Sequence, residues 1–393
     1  MDRDKTAGIL ARQRKGDSRL TIQITPVPVL LMVQSLGPGG TERQLTEIAK
    51  HLDRSRFTPH VACFRSEGMR GEELKSVGVP VVHFPVRSLV SVDALRGALL
   101  MARYLRRHRI GIVHAFDVPM NIFGVPVARL FGTPVVISSQ RAYRDLVSGT
   151  HQRLLRLCDQ FSTATVVNCR AIERHLCEDF GVDPAKIQLC YNGLDTSVFY
   201  PRPRDPERPL VIGGIYALRP EKSIDTLVDA FAAVHSRSPS VRLLIVGSGS
   251  VEASLRQRAA ALGIADAVRF EPAAADVAVW FNQIDIFVLP SVSEALSNSL
   301  MEAMACGCAV VASRVGGNPE LVREGEVGLL FEPRDAAGLA SQLEVLVNQP
   351  DLRRRMSEAG TQFIQKQFSV TASARRMGEI YTSLLEQAGL AAS

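Results

Sequence analysis

The chain has 393 residues, of which 46% are hydrophobic and 22% charged, and this composition excludes wholesale disorder. Its length is too great for one compact core, so two domains are expected. The formal net charge of +6 suits anionic partners. The basic residues do not alternate with aromatic residues, however, which argues against a nucleic-acid groove.

Targeting signals and metal motifs are not apparent in the sequence. It has no run of about 18 uncharged apolar residues, so no membrane span is predicted. The N-terminal segment, residues 1–26, is predicted to be a mobile tail, and its polar start lacks the apolar core of a signal peptide. Seven cysteines form no zinc-binding pattern and are expected to be buried and reduced. A cytoplasmic protein is therefore predicted.

Strands and helices are predicted to alternate from residue 27 onward, because the apolar runs are too continuous for half-exposed antiparallel strands. A first set of strands is predicted at residues 27–33, 58–63, 79–83, 112–115, 135–138, 165–167 and 186–189. A second set is predicted at residues 210–215, 241–246, 268–270, 285–289, 309–312 and 328–331, followed by helices from about residue 336. This pattern indicates an α/β fold with doubly wound, mostly parallel sheets.

A proline-rich segment separates the two sets of strands. It reads YPRPRDPERP and lies within residues 199–210. Because proline lacks a backbone donor and disrupts helices, this segment is predicted to be an interdomain linker. The predicted domains are therefore residues 27–203 and 204–371, with a final segment at residues 372–393.

Ligands of open parallel sheets bind at the carboxyl ends of the strands, and two loops there have suitable residues. In GPGGTE, after the first strand, Gly39 and Gly40 allow the backbone to approach an anion; a tight strand-to-helix turn explains them equally well. In YALRPEKS, Lys222 lies at a helix start, which disfavours a cation unless an anion is bound. With Arg219 it could neutralise a diphosphate, or the two could form a solvated basic turn.

The segment LPSVSEALSNSLMEAMACGCAVVA, residues 289–312, combines a strand end, a helix start and a second strand. The helix start offers free N–H groups to a phosphate. Glu294 in the loop and Glu302 in the helix can accept paired hydrogen bonds from sugar hydroxyls. Glu302 lies on an apolar helix and needs a partner, either a ligand diol or an internal arginine. Together these features indicate a nucleotide-sugar site.

The motifs GGTE, NGLD, LRPEK, the segment at residues 289–313 and VGGNPELV resemble those of the retaining family 4 glycosyltransferases, over residues 28–370. The resemblance implies the GT-B fold, in which two doubly wound Rossmann-like domains face each other across a cleft. It implies an N-terminal acceptor domain, a C-terminal donor domain and a last helix that crosses back. It also implies retaining hexose transfer from a nucleotide diphosphate sugar, without a metal or other cofactor.

The resemblance further implies the roles of single residues. Glu302 would bind the ribose hydroxyls of the donor, Glu294 would hold hydroxyls of its sugar, and Lys222 would bind its diphosphate. Backbone amides would contact the sugar and the phosphates. In the C-terminal domain these are the amides of Ala295, Leu296 and Ser297. In the opposite domain they are at Gly39 and Gly40.

Two departures from the family pattern are apparent. Ala217 stands where the family usually has an arginine, and Arg219 is expected to reach the diphosphate instead. Where many relatives have a histidine near the donor sugar, this chain has Gln140, with Arg141 beside it. His114, at the end of another predicted strand, is a further candidate, or else a core residue.

The predicted reaction requires that the charge of the departing diphosphate be stabilised. A phosphate oxygen of this leaving group takes the proton of the acceptor. The cleft is expected to close by rotation of the domains about the linker. The acceptor is a saccharide or a lipid-linked molecule. The basic cluster RYLRRHR, residues 103–109, could dock on anionic lipid at the inner face of the membrane, or it is a solvated helix end. Alternative functions are a nucleotide-sugar epimerase and a non-catalytic nucleotide-sugar-binding partner.

Overall fold

The computed structural model describes residues 26–205, 207–274 and 276–390, so the predicted tail lies outside the described residues except for its last position. The N-terminal domain contains a parallel sheet ordered β3-β2-β1-β4-β5-β6-β7. Its strands are β1 Val27–Ser35, β2 Phe57–Arg65, β3 Val81–His83, β4 Ile112–Ala115, β5 Val135–Gln140, β6 Ala164–Val167 and β7 Ile187–Leu189.

The C-terminal domain repeats this strand order in a second parallel sheet, β10-β9-β8-β11-β12-β13. Its strands are β8 Val211–Ile215, β9 Arg242–Val246, β10 Val268–Glu271, β11 Ile286–Leu289, β12 Ala309–Ser313 and β13 Gly328–Phe331. The predicted doubly wound α/β fold is thus confirmed. In each sheet the winding direction reverses at one point, between β1 and β4 and between β8 and β11, and such switch points form ligand crevices.

Helices connect the strands and cover both faces of each sheet, as parallel connections require. In the N-terminal domain they are α1 Gly40–His51, α2 Met69–Ser76, α3 Val92–Arg107, α4 Val118–Leu130, α5 Gly149–Phe161 and α6 Arg170–Phe180. The remaining helices are α7 Ile224–Arg237, α8 Glu252–Ala261, α9 Ala278–Phe281, α10 Asn298–Ala305, α11 Asn318–Leu321, α12 Ala336–Asn348, α13 Pro350–Gln367 and α14 Val370–Gln387. No helix among the described residues is long and apolar enough to cross a membrane.

The proline-rich segment is fastened to the C-terminal domain. Arg204 donates to the backbone carbonyl oxygens of Cys306 and Gly307, at 3.1 and 3.2 Å. Arg208 forms an ion pair of 2.6 Å with Asp285, at the start of β11. The segment therefore lies along its own domain instead of hanging free between the two.

The last helix, α14, packs against the N-terminal domain. Its buried residues Met377, Ile380 and Tyr381 belong to the same apolar cluster as Leu45 and Ile48 of α1. The chain thus crosses between the domains twice, before β8 and again before α14. At this second crossing, hydrogen bonds join Leu194 to the backbone of Phe368 and Val370 at 2.7 and 3.0 Å.

A carboxylate of the C-terminal domain caps a helix of the N-terminal domain. Glu320, in α11, accepts hydrogen bonds from the backbone N–H groups of Arg170 and Ala171 at 3.0 and 3.1 Å. The hydroxyl of Tyr191 donates to the same side chain at 2.9 Å. Because the start of α6 carries free N–H groups and a positive dipole end, this carboxylate stabilises both the helix and the domain contact.

His114 lies inside the N-terminal domain, where both of its ring nitrogens have partners. Nδ1 is 2.8 Å from the Tyr381 hydroxyl and Nε2 is 2.8 Å from the Ser139 hydroxyl. Complete burial lowers the pKa of His114 well below its usual value, so the ring is neutral. The contacts of His114 therefore attach α14 to the centre of the first sheet.

Replacement of Tyr381 by phenylalanine should destabilise the protein, because it leaves a buried ring nitrogen of His114 without a partner. The expected loss is about 1–3 kcal/mol in the free energy of unfolding, measured by denaturant titration. Tyr200→Phe is the matched control, since Tyr200 is 42% exposed and should tolerate the change. Equal effects of the two substitutions would contradict this role of the His114–Tyr381 hydrogen bond.

Candidate active site

The carboxyl ends of the two sheets face each other, and the loops after β1, β8 and β11 meet there. Gly40, the first residue of α1, lies so close to α10 that a Cβ atom on it would be 2.7 Å from Nδ2 of Asn298. A larger residue at position 40 would therefore require the Asn298 side chain to move. The predicted glycine loop and the predicted donor segment thus lie on opposite sides of one crevice.

The loop before α10 is held by the glycines of the VGGN motif. The N–H of Gly317 donates to the carbonyl oxygen of Ala295 at 2.7 Å. Gly316 adopts a positive φ of 54°, and a Cβ atom on it would overlap the carbonyl oxygen of Glu294. The side chain of Ser297 caps α10 by accepting from the N–H of Leu300. These contacts fix the backbone predicted to face the sugar and phosphate.

Lys222 and Glu294 come together at the β8–β11 switch point. The Lys222 ammonium donates to Glu294, and the Ser291 hydroxyl donates to the same carboxylate oxygen at 2.7 Å. The two loops are also joined by a hydrogen bond of 2.9 Å from the Val292 N–H to the Glu221 carbonyl. Both charged side chains are largely buried, so each offsets the desolvation of the other.

Arg219 lies apart from this pair. Its side chain is 59% exposed and forms an ion pair of 3.0 Å with Glu221. It lines a surface cleft between α7 and α8, together with Asp225 and Arg258. The structure thus does not bring Arg219 to Lys222 and Glu294, and its expected contact with the diphosphate stays a prediction.

Glu302 is buried within α10, and Arg43 of the N-terminal domain forms an ion pair with it. Burial raises the pKa of Glu302, and the positive charge of Arg43 opposes that rise. The guanidinium of Arg43 also lies 5.9 Å from the ring centre of Phe199, where the chain leaves the first domain. Of the two partners expected for Glu302, a ligand diol and an internal arginine, the structure contains the arginine, which comes from the other domain.

The second oxygen of Glu302 remains open to a ligand. Among the described residues, Arg43 donates to Oε1 and no hydrogen bond reaches Oε2. The Glu302 side chain as a whole keeps 7% of its surface exposed. The carboxylate can therefore hold Arg43 with one oxygen and accept from a hydroxyl group with the other.

Gln140 and Arg141, at the end of β5, have different surroundings. Gln140 is buried and accepts from Nε of Arg144 at 3.1 Å, and Arg144 forms two hydrogen bonds of 2.7 Å with Asp159. Gln140 thus belongs to a buried network of the N-terminal domain. Arg141 instead donates to Oδ1 of Asn192, whose Nδ2 donates to Oδ1 of Asn298 at 2.9 Å. Arg141 therefore lies toward the crevice.

In residues 26–205, 207–274 and 276–390, no three histidine, cysteine, aspartate or glutamate side chains are grouped so that they could hold a metal ion. Metal independence itself stays a prediction. The charges of the crevice come from side chains and from the start of α10.

Two family models match the chain. The model described as Glycosyltransferase Family 4 matches residues 38–198, and the model described as Glycosyl transferases group 1 matches residues 201–363. A D-inositol 3-phosphate glycosyltransferase of Streptomyces scabiei is 32% identical over 356 residues, which are 83% of this chain and 77% of the relative. Another, of Thermomonospora curvata, is 34% identical over 55% of this chain, and the match spans 56% of that relative's length.

Solved structures have the same architecture. HepE of Anabaena, in complex with UDP and glucose, has a TM-score of 0.77 at 22% identity over 90% of this chain and 99% of its own. Sucrose-phosphate synthase from Thermosynechococcus elongatus has a TM-score of 0.77 at 20% identity over 92% and 100%. These likenesses concern the fold, and they confirm the predicted GT-B class.

Fold, motifs and relatives agree on one family. The chain belongs to the group 1 glycosyltransferases, with a family 4 N-terminal domain.

Replacement of Arg43 by methionine should destabilise the protein, because it leaves the buried Glu302 carboxylate without its partner. The expected loss is about 3 kcal/mol at neutral pH, measured by guanidinium denaturation. The loss should shrink as the pH falls, since a carboxyl group with a raised pKa is protonated more readily when folded than when unfolded. Equal losses at low and neutral pH would contradict this account.

Arg237→Met is the matched control for that measurement. Arg237 pairs with Glu344, but its side chain is 70% exposed. Solvent already screens this pair, so the expected loss is below about 1 kcal/mol.

Proposed function

We propose that this chain is a retaining hexosyltransferase that moves a sugar from a nucleotide diphosphate donor to a saccharide or lipid-linked acceptor. The observation that carries the proposal is the meeting of Lys222, Glu294 and Glu302 with the start of α10 at one crevice. HepE, which has the same fold, binds UDP and glucose. The proposed setting is synthesis of cell-surface polysaccharide or glycolipid.

In the proposed complex each charged group has a separate part of the donor to bind. The open oxygen of Glu302 accepts from a ribose hydroxyl. Lys222 leaves Glu294 for the diphosphate, and Glu294 then accepts hydrogen bonds from hydroxyls of the sugar. Both residues keep a binding partner in this exchange. The phosphate takes the place of the Glu294 carboxylate beside Lys222, and the sugar hydroxyls take the place of the Lys222 ammonium beside Glu294. The backbone from Ala295 to Ser297 and the amide of Gly40 contact the phosphates from the two domains.

The proposed chemistry requires no protein nucleophile. The bond between the anomeric carbon and the diphosphate oxygen breaks, and its electron pair leaves with the diphosphate. The acceptor hydroxyl bonds to the same face of the sugar, and its proton passes to a phosphate oxygen of the leaving group. Lys222 and the start of α10 stabilise the charge that develops on that group, which is electrostatic catalysis by preorganised groups. On this account no metal ion is needed.

Lys222→Ala and Glu302→Ala should each abolish transfer while the protein remains folded. Loss of one such charge lowers the rate by about 10²–10³-fold. The assay is release of nucleoside diphosphate from each common nucleotide sugar, with circular dichroism as the test of folding. Lys75→Ala is the control, because Lys75 is an exposed residue paired with Glu72 on α2. Full activity of both site variants would refute the assignment.

The same donor screen separates the alternative functions. A non-catalytic nucleotide-sugar-binding partner, favoured by Ala217 and Gln140, would bind nucleotide without releasing it from any donor. An epimerase would change the configuration of the sugar, which NMR of the product detects. A retaining transferase gives a product with the anomeric configuration of the donor. Phosphorylated cyclitols belong in the acceptor screen, since the relatives are named for D-inositol 3-phosphate.

We propose further that the outer face of α3 contacts an anionic membrane. Large apolar residues are exposed along its first half, at Val92, Leu95, Leu99 and Leu100. Arginines are exposed on the same face, at Arg96, Arg103, Arg106 and Arg107. An interfacial helix combines these two features, because its apolar side chains enter the lipid while its cations bind the headgroups. This places the domain that takes the acceptor next to a lipid-linked substrate.

Removal of this surface should weaken binding to vesicles that contain phosphatidylglycerol. Replacement of Arg103, Arg106 and Arg107 by glutamine removes about 1 kcal/mol per charge, roughly a hundredfold in affinity. Leu95→Gln with Leu99→Gln should weaken binding as well, and Leu262→Gln in the C-terminal domain is the matched exposed control. The measurement is vesicle co-sedimentation, and binding that survives both site variants would exclude this face.

A further inference from the structure

Arg141 occupies the carboxyl edge of the first sheet, directly after β5. Its guanidinium carbon lies 5.7 Å from the ring centre of Phe116, and it donates a hydrogen bond to Oδ1 of Asn192. Burial lowers the pKa of Arg141 to about 10, which shows how much of its hydration is lost. The side chain is therefore a partly buried cation whose hydrogen-bond partner is neutral.

The charge of Arg141 has no counter-charge in the described part of the chain, where no carboxylate lies within ion-pair distance of it. Arg144, three residues later, is different, because it holds Asp159 through two hydrogen bonds of 2.7 Å. Desolvation of an unpaired charge is costly, and proteins accept that cost mainly where a ligand supplies the missing charge. The surroundings of Arg141 are thus those of an anion-binding residue.

A short hydrogen-bonded chain connects Arg141 to the start of α10. Asn192 accepts from Arg141 and donates to Oδ1 of Asn298 at 2.9 Å, and Asn298 is the first residue of that helix. Asn192 is held in place because Gln44 exchanges two hydrogen bonds, of 2.8 and 2.7 Å, with the backbone of Gly193. Arg141 therefore lies near the helix start at which a phosphate is proposed to bind.

In the described part of the C-terminal domain, positions 217 and 219 do not provide a second cation beside Lys222. Ala217 occupies the position of the usual arginine, and Arg219 is exposed and paired with Glu221. Among the described residues of that domain, Lys222 is the cation paired with Glu294 at the switch point, and a diphosphate carries more than one negative charge. A further positive charge has to come from the opposite side of the crevice.

We propose that Arg141 binds a phosphate group in the crevice and supplies, from the N-terminal domain, the positive charge that is missing at Ala217. The inference rests on the proposed function, since it takes the start of α10 as the phosphate site. The phosphate is that of the donor diphosphate or of a phosphorylated acceptor, and both have the same chemistry toward a guanidinium. Because the two cations belong to different domains, full neutralisation of the phosphate requires the domains to face each other.

The first test is nucleotide binding by Arg141→Gln and Arg141→Lys, measured by calorimetry with UDP, ADP and GDP and with the matching monophosphates. For the nucleotide that binds, Arg141→Gln should weaken diphosphate binding by about tenfold or more and monophosphate binding much less. Arg141→Lys should recover part of the affinity. Arg129→Gln is the control, because Arg129 is exposed and bonds to the carbonyl of Phe161.

The second arm distinguishes the two sources of phosphate. If Arg141 binds the acceptor, Arg141→Gln leaves nucleotide affinity unchanged and raises KM for phosphorylated acceptors but not for neutral ones. Unchanged nucleotide affinity together with unchanged KM for both acceptor classes would overturn the inference. Lys222→Ala is measured in parallel: if it weakens diphosphate binding while Arg141→Gln does nothing, only the inference fails. If neither weakens it, the proposed donor site fails too.

A third measurement separates a binding role from a structural one. Arg141→Met removes a partly buried charge that has no counter-charge among the described residues, so the thermal midpoint of the ligand-free protein should stay the same or rise. Arg144→Met breaks a buried ion pair and should lower that midpoint. A drop for Arg141→Met as large as that for Arg144→Met would assign Arg141 to the fold instead of the ligand site.

Discussion

Glu302, buried inside α10, pairs with Arg43 of the other domain, and the rest of the crevice depends on this pairing. The pair brings the first turn of α1 against α10, and Gly40 then lies next to Asn298 with no room for a side chain. The same contact uses Oε1 of Glu302, and no hydrogen bond from the described residues reaches Oε2. An interaction that holds two domains together thereby also orients a carboxylate for a ligand.

The fold was readable from the sequence because strands buried on both faces appear as continuous apolar runs. The first sheet shows where that signal ends. β5 was predicted to end at residue 138 but continues to Gln140, because Ser139 and Gln140 are buried through hydrogen bonds to His114 and Arg144. A hydropathy pattern cannot predict that such polar residues are buried in a strand, because their hydrogen-bond partners come from distant parts of the chain.

The candidate site was predictable only in part, and for a similar reason. Lys222 and Glu294 follow adjacent strands of one sheet, so the sequence could place them at the same switch point. The partners that cross the crevice could not be predicted, because Arg43 and Asn192 are polar residues of another domain whose placement no local pattern encodes. Arg219, three residues from Lys222, turns its side chain toward Glu221 and another cleft, so its expected contact with the diphosphate stays a prediction.

The location of the interdomain hinge follows from the same contacts. The proline-rich segment is attached to the C-terminal domain through Arg204 and Arg208, so it belongs to that domain and is not a free hinge. The two crossings between the domains are instead joined at Leu194. Its N–H donates to the carbonyl of Phe368 and its carbonyl accepts from the N–H of Val370, in the chain that enters α14. Rotation about this double crossing would move Arg43 and Arg141 together relative to Lys222 and α10. If the crevice closes by such a rotation, closure would also assemble its charges, because the cations of one domain and the helix start of the other meet only when the domains do.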